Sequence, residues 1–176
     1  MNDIIFRKAT SEDIDAISDI YEALHAEEEA GRATVGWQRG VYPVKATAEA
    51  ALTRDDLYVG EQDGTVIASA ILNKLQVDVY ADAPWQYPAA DDEVFVMHTL
   101  VVHPDCGAHG VGRSFANFYE QEALRSGCRY LRIDTNERNT RARHLYQTLG
   151  YREIAVVPCV FNGLKDIHLV LLEKAI

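Results

Sequence analysis

The chain has 176 residues, enough for one domain with a substantial core and too few for two large modules. Hydrophobic residues make up 48% and charged residues 25%, ordinary for a globular protein, which excludes a disordered or fibrous class. The formal charge of -10 opposes general nucleic-acid binding, which draws its affinity from Lys and Arg neutralising phosphates, and no apolar run approaches the ~20 residues that span a bilayer.

Ile4 to Ala9 alternates as a first strand would, and Thr10-Ser11-Glu12-Asp13 offers a hydroxyl cap with an acid three places on. A helix follows on Ile14, Ile17, Ile20, Tyr21 and Leu24, and its pattern dissolves into Glu27-Glu28-Glu29, read as a solvated face. Gly31 to Pro43 is rich in glycine and carries Trp37, Arg39 and Tyr42, so it reads as a functional or covering loop. A short helix is expected from about Thr47 to Leu52. Leu57 to Glu61 and Thr65 to Leu75 flank Asp63-Gly64, a hairpin turn whose two central positions need positive φ.

Val77 to Glu93 holds Tyr80, Trp85, Tyr87, two prolines and several aspartates without periodicity, and reads as a second long functional loop. Val94 to Val102 is a buried strand. Gly112 to Ser126 is a helix ended by Gly127, Tyr130 to Thr135 a strand, and Asn139 to Leu149 a helix stopped by Gly150. Tyr151 to Val157 and Asp166 to Leu172 close the chain as an antiparallel pair. The expected order is β-α-α-β-β-β-α-β-α-β-β in an α/β (α+β three-layer) fold, with residues 1–176 forming a single domain. The first residues carry no basic region followed by an apolar core, so export is not expected. Cys106, Cys128 and Cys159, odd in number and widely spaced, read as reduced thiols of a cytoplasmic protein.

Two segments carry chemistry. After the strand ending Leu100-Val101-Val102, the run Gly107-Ala108-His109-Gly110-Val111-Gly112 leads straight into a helix. A strand, a glycine turn and a helix N-terminus together direct several backbone N–H groups, and the positive end of the helix dipole, at one spot suited to a phosphate. An ordinary strand-to-helix connection would have the same composition. A P-loop does not fit, because no Lys-Ser/Thr follows the turn, and a Rossmann unit does not fit, because hairpins precede this strand. The second segment runs from Asn139 to Tyr151 as Asn-x-x-Ala-x-x-Leu-Tyr-x-x-x-Gly-Tyr. Asn139 alone would suit a helix cap and Tyr146 alone a core aromatic.

Together the two segments resemble the Gcn5-related N-acetyltransferase superfamily, in which Gln/Arg-x-x-Gly-x-Gly/Ala precedes Asn-x-x-Ala-x-x-Leu-Tyr-x-x-x-Gly-Phe. The element order agrees from Ile4 to Leu172, so the resemblance covers nearly the whole chain. It implies an acyl-CoA N-acyltransferase fold, a mixed splayed sheet flanked by helices. It also implies an N-acetyltransferase that moves an acetyl group from acetyl-CoA directly to an amine, with no metal.

By the same resemblance Leu100, Val101 and Val102 pair with the pantetheine arm, and Gly107, Ala108, His109, Gly110, Val111, Gly112 and Arg113 surround the pyrophosphate. Gly107 stands where the family has Gln or Arg, so that side-chain contact is lost; His109, Arg113 and Arg143 supply positive charge nearby or are merely solvated. Asn139 begins the helix near the cofactor. The Leu100 amide is the implied oxyanion donor, and Tyr146 the implied proton donor to the leaving thiolate.

For the base, His98 interrupts an apolar strand two residues before Leu100, so period two puts the pair nominally on one side, although the bulge that the resemblance implies here can re-aim them. His98 also matches a histidine of the arylalkylamine N-acetyltransferase branch, and Glu93 is the runner-up. A hydrogen-bonded core histidine is the competing reading. His103, Cys106 and His109 have zinc-like spacing, but the cradle needs this backbone and no fourth ligand lies near. The acceptor pocket is sought at Trp37, Arg39, Tyr42, Trp85 and Tyr87, which would otherwise pack the two loops down. A small primary amine is the expected acceptor. A protein or peptide amine docked at Asp91 to Glu93, and a non-catalytic acyl-CoA sensor, are the alternatives. Edge strands of this family often pair, which leaves a homodimer open, but the oligomeric state is not readable from the sequence.

Overall fold

The structure is a computed structural model that describes residues 3–107 and 109–176. In chain order it forms β1 (Ile5–Lys8), α1 (Ile14–Glu29), α2 (Lys45–Thr53), β2 (Leu57–Gln62), β3 (Thr65–Asn73), β4 (Val94–Val102), α3 (Val111–Arg125), β5 (Tyr130–Asn136), α4 (Thr140–Thr148), β6 (Arg152–Phe161) and β7 (Leu164–Ala175). The strands make an open, mixed sheet in the order β1-β2-β3-β4-β5-β7-β6. The β1–β2, β2–β3, β5–β7 and β6–β7 pairs are antiparallel, while β4 and β5 run parallel, in a register from Val94 opposite Tyr130 to Val96 opposite Arg132. This is the expected fold class.

The chain divides into two compact units, residues 1–33, 37–72 and 98–118 in the first and residues 34–36, 73–97 and 119–176 in the second. Both β4 and α3 contribute residues to each. In the first unit the apolar face of α1, Ile14, Ile17, Ile20 and Tyr21, is buried with Ala48 and Ala51 of α2 and with Leu57, Val59, Ile71 and Val101 of the strands. Arg7 of β1 ties the chain's start together, donating to both oxygens of Asp13 at 2.7 and 2.9 Å and to Glu61 at 2.7 Å. The second unit buries Tyr80, Val94, Val96, Leu169 and Leu171 together. Tyr119 of α3 donates its hydroxyl to the Phe95 carbonyl at 2.6 Å there, satisfying a polar group that is fully enclosed.

Several element boundaries differ from the sequence reading by a residue or more, and three places are informative. Helix α1 continues through Glu27-Glu28-Glu29 to its end, because an acidic run on a solvated face does not oppose helix once the buried face is anchored. Helix α3 starts at Val111, one residue before the expected glycine. The last hairpin is longer on both sides than expected: β6 runs to Phe161, turns on Asn162-Gly163 at φ 48° and 82°, and returns at Leu164. That turn repeats the Asp63-Gly64 geometry, φ 52° and 77°, which favours hairpins. Pro158 conceals the extension in the sequence, but β6 is an edge strand, where a missing N–H is tolerated.

Candidate active site

Within β4, Val94 to Met97 are buried and His98, Thr99 and Leu100 are each half-buried. The regular alternation fails at Thr99, which has φ 53°. A β-branched residue in the left-handed region is strained by about 1–3 kcal/mol and breaks the strand's alternation, as a bulge does. The period-two argument that puts His98 and Leu100 on one side is therefore interrupted between them. Thr99 is met by the Tyr42 hydroxyl, which hydrogen-bonds its side chain. Val101 returns to the core of the first unit, and the His103 amide donates to the Ile67 carbonyl at 2.8 Å just past the strand's end.

Beyond β4 the chain tightens in a 3-10 turn at Pro104–Cys106, with His103 Nδ1 accepting from the Asp105 amide at 3.3 Å. Gly107 closes the turn by donating to the Pro104 carbonyl at 3.1 Å and has φ −66°, so its backbone would accept any side chain. Ala108 lies outside the described residues. Gly110 has φ 76°, and a Cβ built there meets nothing within 4 Å, which leaves open space beside the backbone. The first helical bond runs from the Ser114 amide to the Gly110 carbonyl at 3.0 Å. The amides of Val111 and Gly112 precede it and have no acceptor inside the helix. A 15-residue helix entered through an open glycine turn fits the diphosphate of an acyl-CoA. His109, exposed, and Arg113 lie at the same end.

In the second unit Asn139 caps α4, its side-chain oxygen accepting from the Ala142 amide at 3.2 Å. Arg143 is engaged: its guanidinium forms a fork with Glu153 at 2.7 and 2.8 Å and reaches the Glu137 carbonyl at 2.9 Å, so its charge is offset locally. Tyr146 is buried and stands edge-to-face with Tyr151 at 5.7 Å. Burial pushes the Tyr146 phenol above its usual range, and the charge of Asp134 adds to this. The phenol therefore stays protonated at neutral pH and remains a hydrogen-bond donor.

Of the two base candidates, His98 is half-buried on β4, whereas Glu93 is exposed and its carboxylate accepts from the Ala90 amide at 2.9 Å, closing the 3-10 turn Asp91–Glu93. Asp134 is hidden in the sequence because Tyr130, Arg132 and Asp134 alternate with apolar residues and read as an outward face. In the structure Arg132 is buried, and Asp134 accepts from the Tyr80 hydroxyl at 2.7 Å. Carboxylates are depleted in strand interiors, and that is the signal the sequence offers.

The aromatic candidates fall into two sets. Trp37 packs on the first unit's core and stands edge-to-face with Tyr42 at 5.9 Å, while Arg39 is exposed and paired with Glu22 and Glu29. Trp85 packs on the second unit's core, donates from Nε1 to the Tyr80 carbonyl at 2.8 Å and lies 4.1 Å from the Arg132 guanidinium. Tyr87 stacks on Tyr130 at 5.9 Å. Among the described residues no group of three or more His, Cys, Asp or Glu is placed to hold a metal ion, and no helix is long and apolar enough to cross a membrane.

Comparison with known proteins adds to this geometry. The family model described as Acetyltransferase (GNAT) family matches residues 17–151. Among solved structures, yncA of Salmonella typhimurium, solved with its cofactor acetyl-CoA, is 19% identical, with 98% of this chain and 94% of that one covered and a TM-score of 0.70. A ribosomal-protein-alanine N-acetyltransferase from Brucella melitensis is 18% identical over 98% and 99% of the two chains, at a TM-score of 0.72. A GCN5-related N-acetyltransferase from Kribbella flavida is 22% identical over 98% of each, at 0.71. No curated protein matches.

Proposed function

Because the chain belongs to the GNAT family of acetyltransferases, we propose that it moves an acetyl group from acetyl-CoA directly onto a primary amine of a small molecule, acting as one domain. The observation that carries the cofactor half of this reading is the open glycine turn at Gly110 leading into the first turn of α3. The backbone of residues 107–113 holds the diphosphate, and Leu100, Val101 and Val102 pair with the pantetheine arm. Bound acetyl-CoA supplies an acyl thioester. The Leu100 amide stabilises negative charge on the acyl oxygen, His98 takes the proton of the incoming ammonium, and Tyr146 donates to the departing sulfur. Glu93 serves less well as the base, since its carboxylate already accepts from the Ala90 amide. The buried phenol of Tyr146 is a weak acid, so its donation matters most to a sulfur that is equally desolvated. Three free thiols fit a reducing compartment such as the cytoplasm.

Thiol release from acetyl-CoA against panels of small amines and peptides tests the acceptor class. Turnover with a small amine supports the reading, turnover with peptides alone moves the acceptor to protein, and tight binding without turnover makes the chain a sensor. Once an acceptor is in hand, Tyr146→Phe keeps the ring and its contact with Tyr151. It should lower kcat at least about tenfold with acetyl-CoA affinity little changed, and recover partly with a thioester of a more acidic thiol. Turnover at the parent rate would leave Tyr146 as a packing residue.

A further inference from the structure

Five non-glycine residues have positive φ among the described residues, and four of them are Asp55, Asp63, Asn162 and Asp166, the side-chain types that tolerate the left-handed region. The fifth is Thr99, β-branched and inside a strand. Such a conformation persists only where the surroundings over-determine it, and it occurs one residue before Leu100.

The group that meets Thr99 is the Tyr42 hydroxyl, and Tyr42 is itself held from three directions. Its amide donates to the Gln38 carbonyl at 3.0 Å, its ring stands against Trp37, and the next residue's carbonyl, that of Pro43, is bonded to Nε2 of the buried His25 on α1 at 2.9 Å. Trp37 in turn packs on the core formed by α1, α2 and the strands. The chain from residue 37 to 43 thus delivers one hydroxyl, from a fixed base, to the strained residue of β4.

We propose that Tyr42 is a positioning residue for acetyl transfer, whose hydroxyl, bonded to that of Thr99, holds β4 in the left-handed turn that sets the direction of the Leu100 amide. The inference rests on the reading that this amide stabilises the acyl oxygen. Without the hydroxyl pair Thr99 relaxes toward ordinary strand geometry, and the Leu100 N–H swings back toward the ladder. The diphosphate cradle is unaffected, because Gly107 and His109 are held by turn bonds to Pro104 and Cys106, and the Gly110 carbonyl by the Ser114 amide. The loss therefore falls on the rate of transfer and spares cofactor binding.

The test uses Tyr42→Phe, Thr99→Val and Thr99→Ser, together with Thr99→Gly, which removes the hydroxyl while relieving the backbone. In the parent protein the Leu100 amide resonance should differ between the CoA-bound and acetyl-CoA-bound states, since only the thioester offers the acyl oxygen. Tyr42→Phe and Thr99→Val should each lose that difference. Their kcat should fall about tenfold or more, with KM for acetyl-CoA within about twofold, because a misdirected donor loses part of the ~100-fold to ~1,000-fold that one such donor contributes. Thr99→Ser keeps the hydroxyl and should retain both. Thr99→Gly needs no hydroxyl to hold the left-handed turn, so it should retain both as well, and Tyr42→Phe in that background should cost no further rate.

Tyr42→Phe and Thr99→Val proteins that keep the parental Leu100 response and kcat, or a further loss on Tyr42→Phe in the Thr99→Gly background, overturn the inference while leaving the proposed function intact. A raised KM for the acceptor at unchanged kcat also overturns it, making Tyr42 an acceptor contact. A parent protein whose Leu100 amide does not distinguish acetyl-CoA from CoA removes the oxyanion reading itself, and this inference with it.

Discussion

Residues 31–44 and 77–93 are both aperiodic segments that carry a tryptophan, tyrosine and proline, yet the structure uses them differently. Tyr80 in the later segment is 2% exposed, with its hydroxyl on Asp134; Trp85 lies between that ring and the Arg132 guanidinium, and the buried Glu173 accepts from the amides of Gln86 at 2.7 Å and Tyr87 at 3.4 Å. The segment is wrapped on two buried charges, with Tyr80 in the core and Trp85 packed against it. The earlier segment has three glycines at positive φ, Gly31, Gly36 and Gly40, two exposed arginines, and one tyrosine that reaches Thr99 of β4. Aromatic content does not distinguish a core segment from a site segment. What differs is where the buried polar groups take hold: Glu173 engages two amides in the middle of the later segment, whereas His25 meets the earlier one at its end, at Pro43. Such a group is costly when unsatisfied and so fixes whatever satisfies it.

The sharpest way to break the contrast is Glu173→Ala. It strips two backbone amides of their acceptor and leaves the register partner Arg132 buried beside an empty position. Removing one member of a buried charged arrangement costs about 3 kcal/mol or more, which for a chain of this size lowers Tm by roughly 10 °C. Calorimetry should show that fall, while acetyl-CoA affinity measured well below the transition should hold. A shift of a degree or two would mean that the later segment is covered by its aromatics alone.

A smaller effect separates two glycines of the earlier segment. A Cβ at Gly36 would stand 2.3 Å from Nδ2 of Asn136 and 2.8 Å from its Cγ, whereas one at Gly40 meets nothing within 4 Å, and both have positive φ. Gly40→Ala should therefore cost only the left-handed term, about 1 kcal/mol, and Gly36→Ala about 1–2 kcal/mol more. Asn136→Ala should relieve most of that excess in the double variant, a coupling read from thermal unfolding of the four proteins. Equal losses at the two glycines would show that residue 36 moves away freely, and that the contact at Asn136 does not hold the loop.

Much of this is legible from the sequence, and where it is not the reason is physical. The element order, the Asp63-Gly64 turn, the Asn139 cap and the GNAT family follow from periodicity and from two motifs, since these are local patterns. The roles of Arg132 and Glu173 are hidden, because alternation in a strand assumes that one face is wet, and both side chains are buried. Arg143 looks like a free cation, and its partner Glu153 lies on another element, ten residues away in sequence. The strain at Thr99 has no compositional signature: by pattern the run Val94 to Val102 reads as a plain buried strand, the family resemblance alone implies a bulge in it, and the backbone puts the interruption at Thr99.

The smallest expected effect is at Arg39, the charged member of the acceptor-pocket candidates in the earlier segment. Its guanidinium pairs with Glu22 and Glu29 of α1, and every one of these side chains is well exposed. Exposed pairs gain little in water and are screened by salt, so Arg39→Ala should lower Tm less than either glycine variant. Hydrogen bonding and charge from Arg39 hold the Glu29 carboxyl below its usual 4.5. A depressed carboxyl stabilises the folded chain above the unfolded value and loses that contribution as pH falls through the folded one. The difference between parent and variant should thus be present at pH 7 in dilute buffer, shrink below about pH 4.5, and vanish in about 0.5 M salt. Transfer kinetics should be unchanged, because two carboxylates already engage the guanidinium. A many-fold rise in acceptor KM for Arg39→Ala, with the small thermal shift as stated, would restore Arg39 to the pocket and identify an acceptor that carries an anionic group as well as its amine.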